Sequence, residues 1–276
     1  MSSIPVKDIA NQAWCEKQME LYHIYGMKLT KPMQAGSAIH EDRQKIAYVK
    51  LAVEPVTYPD RLYKTAYENY MGIKNLGEKG ICREFKVYGS INGFKVAGQI
   101  DELRLSGGNL VIVEDKTLRR GGSPSSRLKS DRIQVMLYKK LVDDTSAGLY
   151  TYENFSYAYR IEGMELSESF RKGLEELGIT PGILRLNAIY KRMFEELSRL
   201  PKASSALELR YFERENGRQI SSIDVEYDKA YIEAELAHSM AYWSNMREAE
   251  PVPESEKWKC DICTFFKDKC RVWYRG

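Results

Sequence analysis

One stretch, residues 98–116, limits the possible folds of this chain more than any other: Gly-Gln-Ile-Asp-Glu-Leu-Arg-Leu-Ser-Gly-Gly-Asn-Leu-Val-Ile-Val-Glu-Asp-Lys. Two apolar-alternating runs flank Gly107-Gly108, a dipeptide suited to the positive φ angles of a tight hairpin turn. Residues 110–113 are almost wholly aliphatic, as expected of a strand buried on both faces. This run ends in Glu114, Asp115 and Lys116, and charged groups at the end of a core strand are costly unless paired or metal-bound. Closing the hairpin brings Asp101 alongside Glu114. Two converging carboxylates repel each other unless a divalent cation lies between them. Lys116, two residues past Glu114, shares its face by period-2 alternation. Two carboxylates and a lysine around one cation can activate water against a phosphodiester. The competing reading is structural, with the same charges forming the solvated ends of an antiparallel pair.

At 276 residues the chain can form one large domain or two small ones, and 43% hydrophobic with 11% aromatic content is ordinary for a globular protein. Against 39 acidic residues stand 42 basic ones, a net charge of +3, so any nucleic-acid surface has to be a local patch. No run approaches the length of a membrane span and the N-terminus has no signal-peptide pattern. The expectation is an intracellular protein, cytoplasmic in a prokaryote, with no membrane partner. The 5 cysteines, an odd number, fit a secreted disulfide framework poorly. Cys260, Cys263 and Cys270 crowd together, and in a reducing compartment that spacing points to a metal. A soft metal centre wants four thiolates, and the fourth has to come from Cys15 or Cys82.

Taken in order, residues 4–25 read as a helix that carries Trp14 and Cys15, and residues 33–53 as a second helix that opens near Gly36 and contains His40. A tyrosine-rich helix or helix pair follows over 58–76. Three strands are expected at 81–87, 94–105 and 110–116, the first two joined at Asn92-Gly93. Cys82 falls inside the first of them, where a cysteine usually serves as a small buried hydrophobe. The loop after Lys116 is basic and glycine-rich; Arg119 and Arg120 there are either solvated or in contact with phosphate. A helix over 127–142 puts Gln134 and Tyr138 on one face at i,i+4. Residues 147–162 read as a strand pair, 165–178 and 182–199 as helices, 207–212 and 219–225 as a hairpin, and 230–246 as the last long helix. No internal repeat or low-complexity linker interrupts this pattern. It predicts one compact α/β domain with a helical, metal-stapled lid.

In order, then, the chain presents Cys15, Gly36 to His40, Gly98 to Asp101, Glu114 to Lys116, Gln134 to Tyr138, and finally Cys260, Cys263 and Cys270. This succession resembles the PD-(D/E)XK nucleases, in the RecB-like branch that carries an iron–sulfur cluster, and within it the exonuclease V family. Trp14-Cys15-Glu16, Trp258-Lys259-Cys260 and Tyr242-Trp243 are similar to that family as well. One departure is that Cys263 and Cys270 enclose six residues where the family commonly has five.

The resemblance implies a restriction-endonuclease-like core, a mixed central sheet flanked by helices. It spans about 33–160, with helical and hairpin additions over about 161–250 and cluster segments at about 10–20 and 255–276. It also implies that His40, Asp101, Glu114 and the backbone carbonyl of Asp115 hold Mg²⁺ or Mn²⁺. In this reading Lys116 orients the attacking water, Gln134 and Tyr138 support the site, and Glu84 lies behind the ligands. Cys15, Cys260, Cys263 and Cys270 would bind a 4Fe–4S cluster, in preference to Zn²⁺. The implied substrate is DNA, most of all single-stranded DNA cut exonucleolytically in repair or replication. The implied state is a monomer that works with a single-strand DNA-binding protein. A CRISPR-associated adaptation nuclease and a non-catalytic, metal-stapled DNA-binding module are the alternatives.

Overall fold

The structure is a computed structural model and describes residues 3–26 and 47–273. Its frame is a six-stranded mixed sheet flanked by helices. Strand β1 (Ile4–Pro5) leads into helix α1 (Val6–Tyr25), and helix α2 (Tyr58–Lys79) precedes strands β2 (Ile81–Ile91), β3 (Phe94–Ser106) and β4 (Asn109–Leu118). Helices α3 (Leu128–Ser146), α4 (Tyr152–Tyr159), α5 (Glu168–Glu176) and α6 (Leu186–Leu197) come next. The chain ends in β5 (Ala206–Glu213), β6 (Gln219–Glu226), α7 (Lys229–Trp243) and the short α8 (Trp258–Asp261). No helix among the described residues is long and apolar enough to cross a membrane.

Both hairpin turns form as their residues dictate, with Asn92 and Gly93 at φ 48° and 80° and Gly107 and Gly108 at 56° and 79°. β3 runs antiparallel to β2 from Phe94 to Arg104, with the register interrupted at Asp101. Its other edge is divided between β4, which pairs with it from Glu102 to Ser106, and β1, which pairs at Val96 and Ala97. Between these two partners β4 leaves β3 and pairs in parallel with β5 from Val113 to Leu118. The sheet therefore splits at Asp101 and Glu114. Gly98 belongs to the same opening, because a Cβ there would lie 2.5 Å from the Tyr138 ring and 2.8 Å from Val6. A side chain at 98 would push α1 and α3 off the sheet.

On the face of β4 opposite Glu114, four buried charges interlock. Arg210 of β5 donates to Asp115 at 2.7 Å and to Glu102 at 2.8 Å, while Arg83 of β2 donates to Asp115 at 3.3 Å and pairs with Glu102. Such a quartet is tolerable because each charge is matched; removing one partner would strand another in the core. It ties β2, β3, β4 and β5 together beneath the split.

The structure departs from expectation in three places. Residues 147–162 are not a strand pair: Thr151 and Asn154 cap each other and start helix α4. The aromatic residues that suggested strand instead stack at i,i+4, Phe155 on Tyr159 at 4.4 Å, and Phe155 lies 4.3 Å from Tyr190 of α6. Residues 47–53, expected as the end of a helix, are non-helical; Glu68 of α2 takes the Leu51 N–H at 3.1 Å and the Tyr48 hydroxyl at 2.7 Å. The hairpin β5–β6, expected as an addition, continues the central sheet.

Candidate active site and cysteine centre

Where β3 and β4 part, Asp101 fills the gap in the ladder by accepting the Asp115 N–H at 2.7 Å. Across from it, Glu114 Oε1 accepts from Lys116 Nζ at 2.9 Å and from Gln134 Nε2 at 2.6 Å. Lys116 Nζ also donates to Gln134 Oε1 at 2.7 Å, and Gln134 donates to the Tyr138 hydroxyl at 3.0 Å. The strand supplies Glu114 and Lys116, and the facing helix α3 supplies Gln134 and Tyr138. These side chains, with Asp101, line a cavity of about 620 Å³.

Burial pushes the Asp101 carboxyl up to about 7, with Lys116 opposing and Asp115 and Glu84 adding to the rise. For Lys116, burial alone would lower the ammonium, but Glu114, Asp131 and Asp101 outweigh it and hold the group raised, so it stays charged at neutral pH. Burial and the Glu114 charge push the Tyr138 phenol well above its ordinary range, which keeps it a neutral donor.

The raised Asp101 carboxyl fixes the direction of a pH effect. The folded protein holds this proton more tightly than the unfolded chain, whose aspartate titrates near about 4. The group's contribution to stability is therefore full below about pH 4 and is lost as pH rises through about 7. Metal-free wild-type protein should lose melting temperature relative to Asp101→Asn as pH is raised from 4 to 8, at up to about 1.4 kcal/mol per pH unit. Parallel melting curves for the two proteins would remove Asp101 as the strained group.

Two further residues belong to this site although sequence reasoning did not mark them as central. Asp131 of α3 accepts from the Tyr211 hydroxyl at 3.0 Å and lies 3.9 Å from Lys116 Nζ. Its spacing to Gln134 and Tyr138, i,i+3 and i,i+7, was the available signal. Glu84 lines the cavity, accepts from Gln99, and has a left-handed φ of 55°. For a glutamate that conformation carries strain, of a kind common beside functional sites.

Of the other candidates, the Asp115 side chain points away from the cavity into the arginine quartet, leaving only its backbone on the Asp101 side. Arg119 and Arg120 lie on the exposed loop, with Arg120 4.0 Å from Glu213, and neither lines the cavity. His40 lies outside the described residues.

The cysteines resolve into two groups. Cys15, Cys260, Cys263 and Cys270 line one cavity, brought there by α1, α8 and the turns that follow. Helix α1 breaks its geometry at Cys15, with φ −167° and ψ 109°, and resumes beyond it. The Gln18 N–H donates to Cys15 Sγ at 3.4 Å and its side-chain amide to Cys263 Sγ at 3.2 Å. Burial, then the neighbouring Cys15, Cys270 and Cys263, raises the Cys260 thiol. Cys82 is elsewhere, buried against Gly72 of α2, with its thiol pushed up to about 12 by burial.

The cysteine centre is anchored from both sides. Arg247 grips Glu16 at 2.5 and 2.6 Å, the Glu250 N–H donates to Glu16 at 2.9 Å, and Trp243 donates to Gln12 at 3.1 Å. Lys259 donates to the Trp14 carbonyl at 3.1 Å. Glu16, His238 and Glu250 also gather within 4.8 Å of one another, but Arg247 already holds both oxygens of Glu16, so this trio is an ion-pair cluster rather than a metal site.

A family model described as Exonuclease V, a 5′ deoxyribonuclease, matches residues 1–109 and 181–274. Zebrafish (Danio rerio) Exonuclease V is 28% identical over 277 residues, an alignment that spans 93% of this chain and 67% of that one. A solved structure described as the crystal structure of SSO0001 is 15% identical, in a match that covers 95% of this chain and 82% of that one with a TM-score of 0.42.

Proposed function

This chain belongs to the exonuclease V family, and from that premise we propose that it is a metal-dependent 5′ deoxyribonuclease of the RecB-like PD-(D/E)XK type, acting on single-stranded DNA. One observation carries the reading. Asp101 and Glu114 face each other where the sheet splits, with Lys116 held beside them in a single cavity. The oxygen donors suit Mg²⁺, and the proposed imidazole of His40 would make Mn²⁺ a good substitute. The fit rests on the donor set itself. Burial strains the Asp101 carboxylate when it is charged, and a divalent cation is the partner that would relieve it. Asp101, Glu114, His40 and the Asp115 carbonyl would hold the ion, which when bound lowers the pKa of water and offsets phosphate charge.

The chain's own residues do the rest. Lys116, kept cationic by Glu114 and Asp131, places a positive charge where negative charge develops on the phosphate. Gln134 fixes both Lys116 and Glu114, and Tyr138 fixes Gln134, so the base of the site is hydrogen-bonded before substrate arrives. The metal competes with the Asp101 proton, so affinity for Mg²⁺ should rise up to about tenfold per pH unit below 7 and flatten above it.

The four-cysteine cavity is proposed to hold a 4Fe–4S cluster. Four thiolates would also suit a Cys₄ zinc ion, and the resemblance of the cysteine pattern to the iron–sulfur branch of these nucleases favours the cluster.

The test is digestion of oligonucleotides labelled at either end, single- and double-stranded, in Mg²⁺ and in EDTA. Mg²⁺-dependent shortening of single strands from the 5′ end is expected. Absence of cleavage by iron-replete protein, or cleavage that persists in EDTA, would refute the proposal.

A further inference from the structure

The cavity that holds Asp101 and Glu114 does not end at its own rim. It shares Pro5, Lys7 and Arg127 with a second depression that runs along α1 to Trp14 and Cys15, so the two form one groove. We propose that the strand being cut lies in this groove, with Arg127 and Lys7 on the phosphates next to the scissile one and Trp14 fixing Arg127 from the cysteine centre. This rests on the nuclease reading of the first cavity and adds the route by which the substrate reaches it.

Three observations support the route. First, Lys7 and Arg127 are exposed, and neither forms a salt bridge among the described residues. Most cations near this site are paired: Lys116 with Glu114, Arg210 and Arg83 with Glu102 and Asp115. Two exposed cations without an ion-pair contact among the described residues, flanking a carboxylate-lined cavity, are placed to offset the repulsion a polyanion would meet there. Second, the carboxylate that lines the second stretch, Asp8, is already held by His23 at 3.1 Å, so it opposes a phosphate chain less than a bare carboxylate would. Third, Arg127 is positioned rather than free. Its guanidinium carbon lies 6.0 Å from the centroid of the Trp14 ring, while Lys259 of α8 lies 4.5 Å from that centroid and Trp258 meets it edge-on at 5.6 Å. The ring next to Cys15 thus joins the cysteine segment to the cation that guards the cavity.

Arg127 comes immediately before α3, the helix of Asp131, Gln134 and Tyr138, so strand contact and catalytic support are set by one element. Lys7 is in the first turn of α1, the helix of Trp14 and Cys15. The two phosphate contacts therefore approach the groove from its two walls.

Binding is measured by fluorescence anisotropy with a labelled 20-nucleotide oligothymidylate, on an Asp101→Asn background that removes cleavage, over a series of salt concentrations. Arg127→Gln and Lys7→Gln should each weaken binding about fivefold at 0.1 M salt and flatten the slope of log affinity against log salt by about 0.7, the worth of one single-strand phosphate contact. Arg199→Gln, which removes an exposed charge that lines neither depression, is the control. In the cleaving enzyme the loss for Arg127→Gln and Lys7→Gln should fall mainly on KM. Trp14→Leu should resemble Arg127→Gln, and Trp14→Phe should restore the wild-type slope. Arg127→Gln and Lys7→Gln proteins that bind with the affinity and slope of the Arg199→Gln control overturn the route, as does a protein with no affinity for the oligonucleotide. Altered binding in a chain that never cleaves DNA would refute the nuclease reading and leave a strand-binding groove without a cutting site.

Discussion

Asp101→Asn, Glu114→Gln and Lys116→Ala should each lower Mg²⁺-dependent cleavage by about 10³-fold or more while the protein stays folded. The first two replacements are nearly isosteric. An asparagine oxygen can still accept the Asp115 N–H that Asp101 now takes at 2.7 Å, so the junction between β3 and β4 survives. A glutamine at 114 can still accept from Lys116 and Gln134. Each change removes a negative charge from the cavity and keeps the hydrogen bonds that join the strands and hold Lys116. Lys116→Ala is the harsher variant. It leaves Glu114 with one fewer donor and Asp131 without its nearby cation, at a cost of about 1–3 kcal/mol. Circular-dichroism melts alongside single-turnover cleavage separate the two effects. A wild-type rate from any of the three, in protein stripped of metal and given fresh Mg²⁺, would end the assignment.

The second large effect concerns the cysteines. Cys15→Ser should abolish the brown colour and visible absorbance of an iron–sulfur protein and lower the melting temperature by about 10 °C or more. By the loop-closure argument for cross-links, a tie across so long a loop contributes about 5 kcal/mol, and in a protein of this size each kcal/mol moves the midpoint by about 2–4 °C. The contacts near Cys15 would loosen with it, among them Lys259 on the Trp14 carbonyl and Gln18 on Cys263. Cys82→Ser should keep the cluster, because its thiol faces Gly72 in the core, and should cost only about 1–3 kcal/mol for the buried hydroxyl. Zinc without iron in the isolated protein would remove the cluster and leave the staple. Bleaching by Cys82→Ser with retention by Cys15→Ser would reverse the ligand set.

Much of this was legible because the signals are local. Asn92-Gly93 and Gly107-Gly108 fix their turns by backbone conformation alone, and strand alternation set Glu114 beside Lys116 on one face. The spacing of Gln134 and Tyr138 placed both on the inner side of α3. What escaped depends on partners far away in the chain. Arg210 meets Asp115 and Glu102 across 95 and 108 residues, and nothing in the sequence around any of them says that they pair. Asp131 was overlooked because an acidic residue early in a helix is ordinary on a solvent face. The aromatic residues of α4 favour strand by propensity, and only the capping pair and the ring stack with Tyr190 decide for helix. Arg127 gave no signal, since its meaning lies in Trp14, on another helix.

The kink of α1 at Cys15 has a consequence for the order in which the protein matures on the ribosome. The half before it, with Val6 against Gly98, can settle as soon as β3 and α3 have emerged. The half after it has its partners much later: Lys17 donates to the Glu250 carbonyl, Tyr22 packs on Phe265 at 5.0 Å, and Gln18 reaches Cys263 across 245 residues. At about 5–20 residues per second, the nascent chain carries that unpartnered half-helix for on the order of ten to fifty seconds. The last thiolates arrive after the sheet is complete, so iron would be inserted into a nearly finished protein. Iron scarcity during expression should therefore leave a folded sheet with a frayed α1, rather than an unfolded chain.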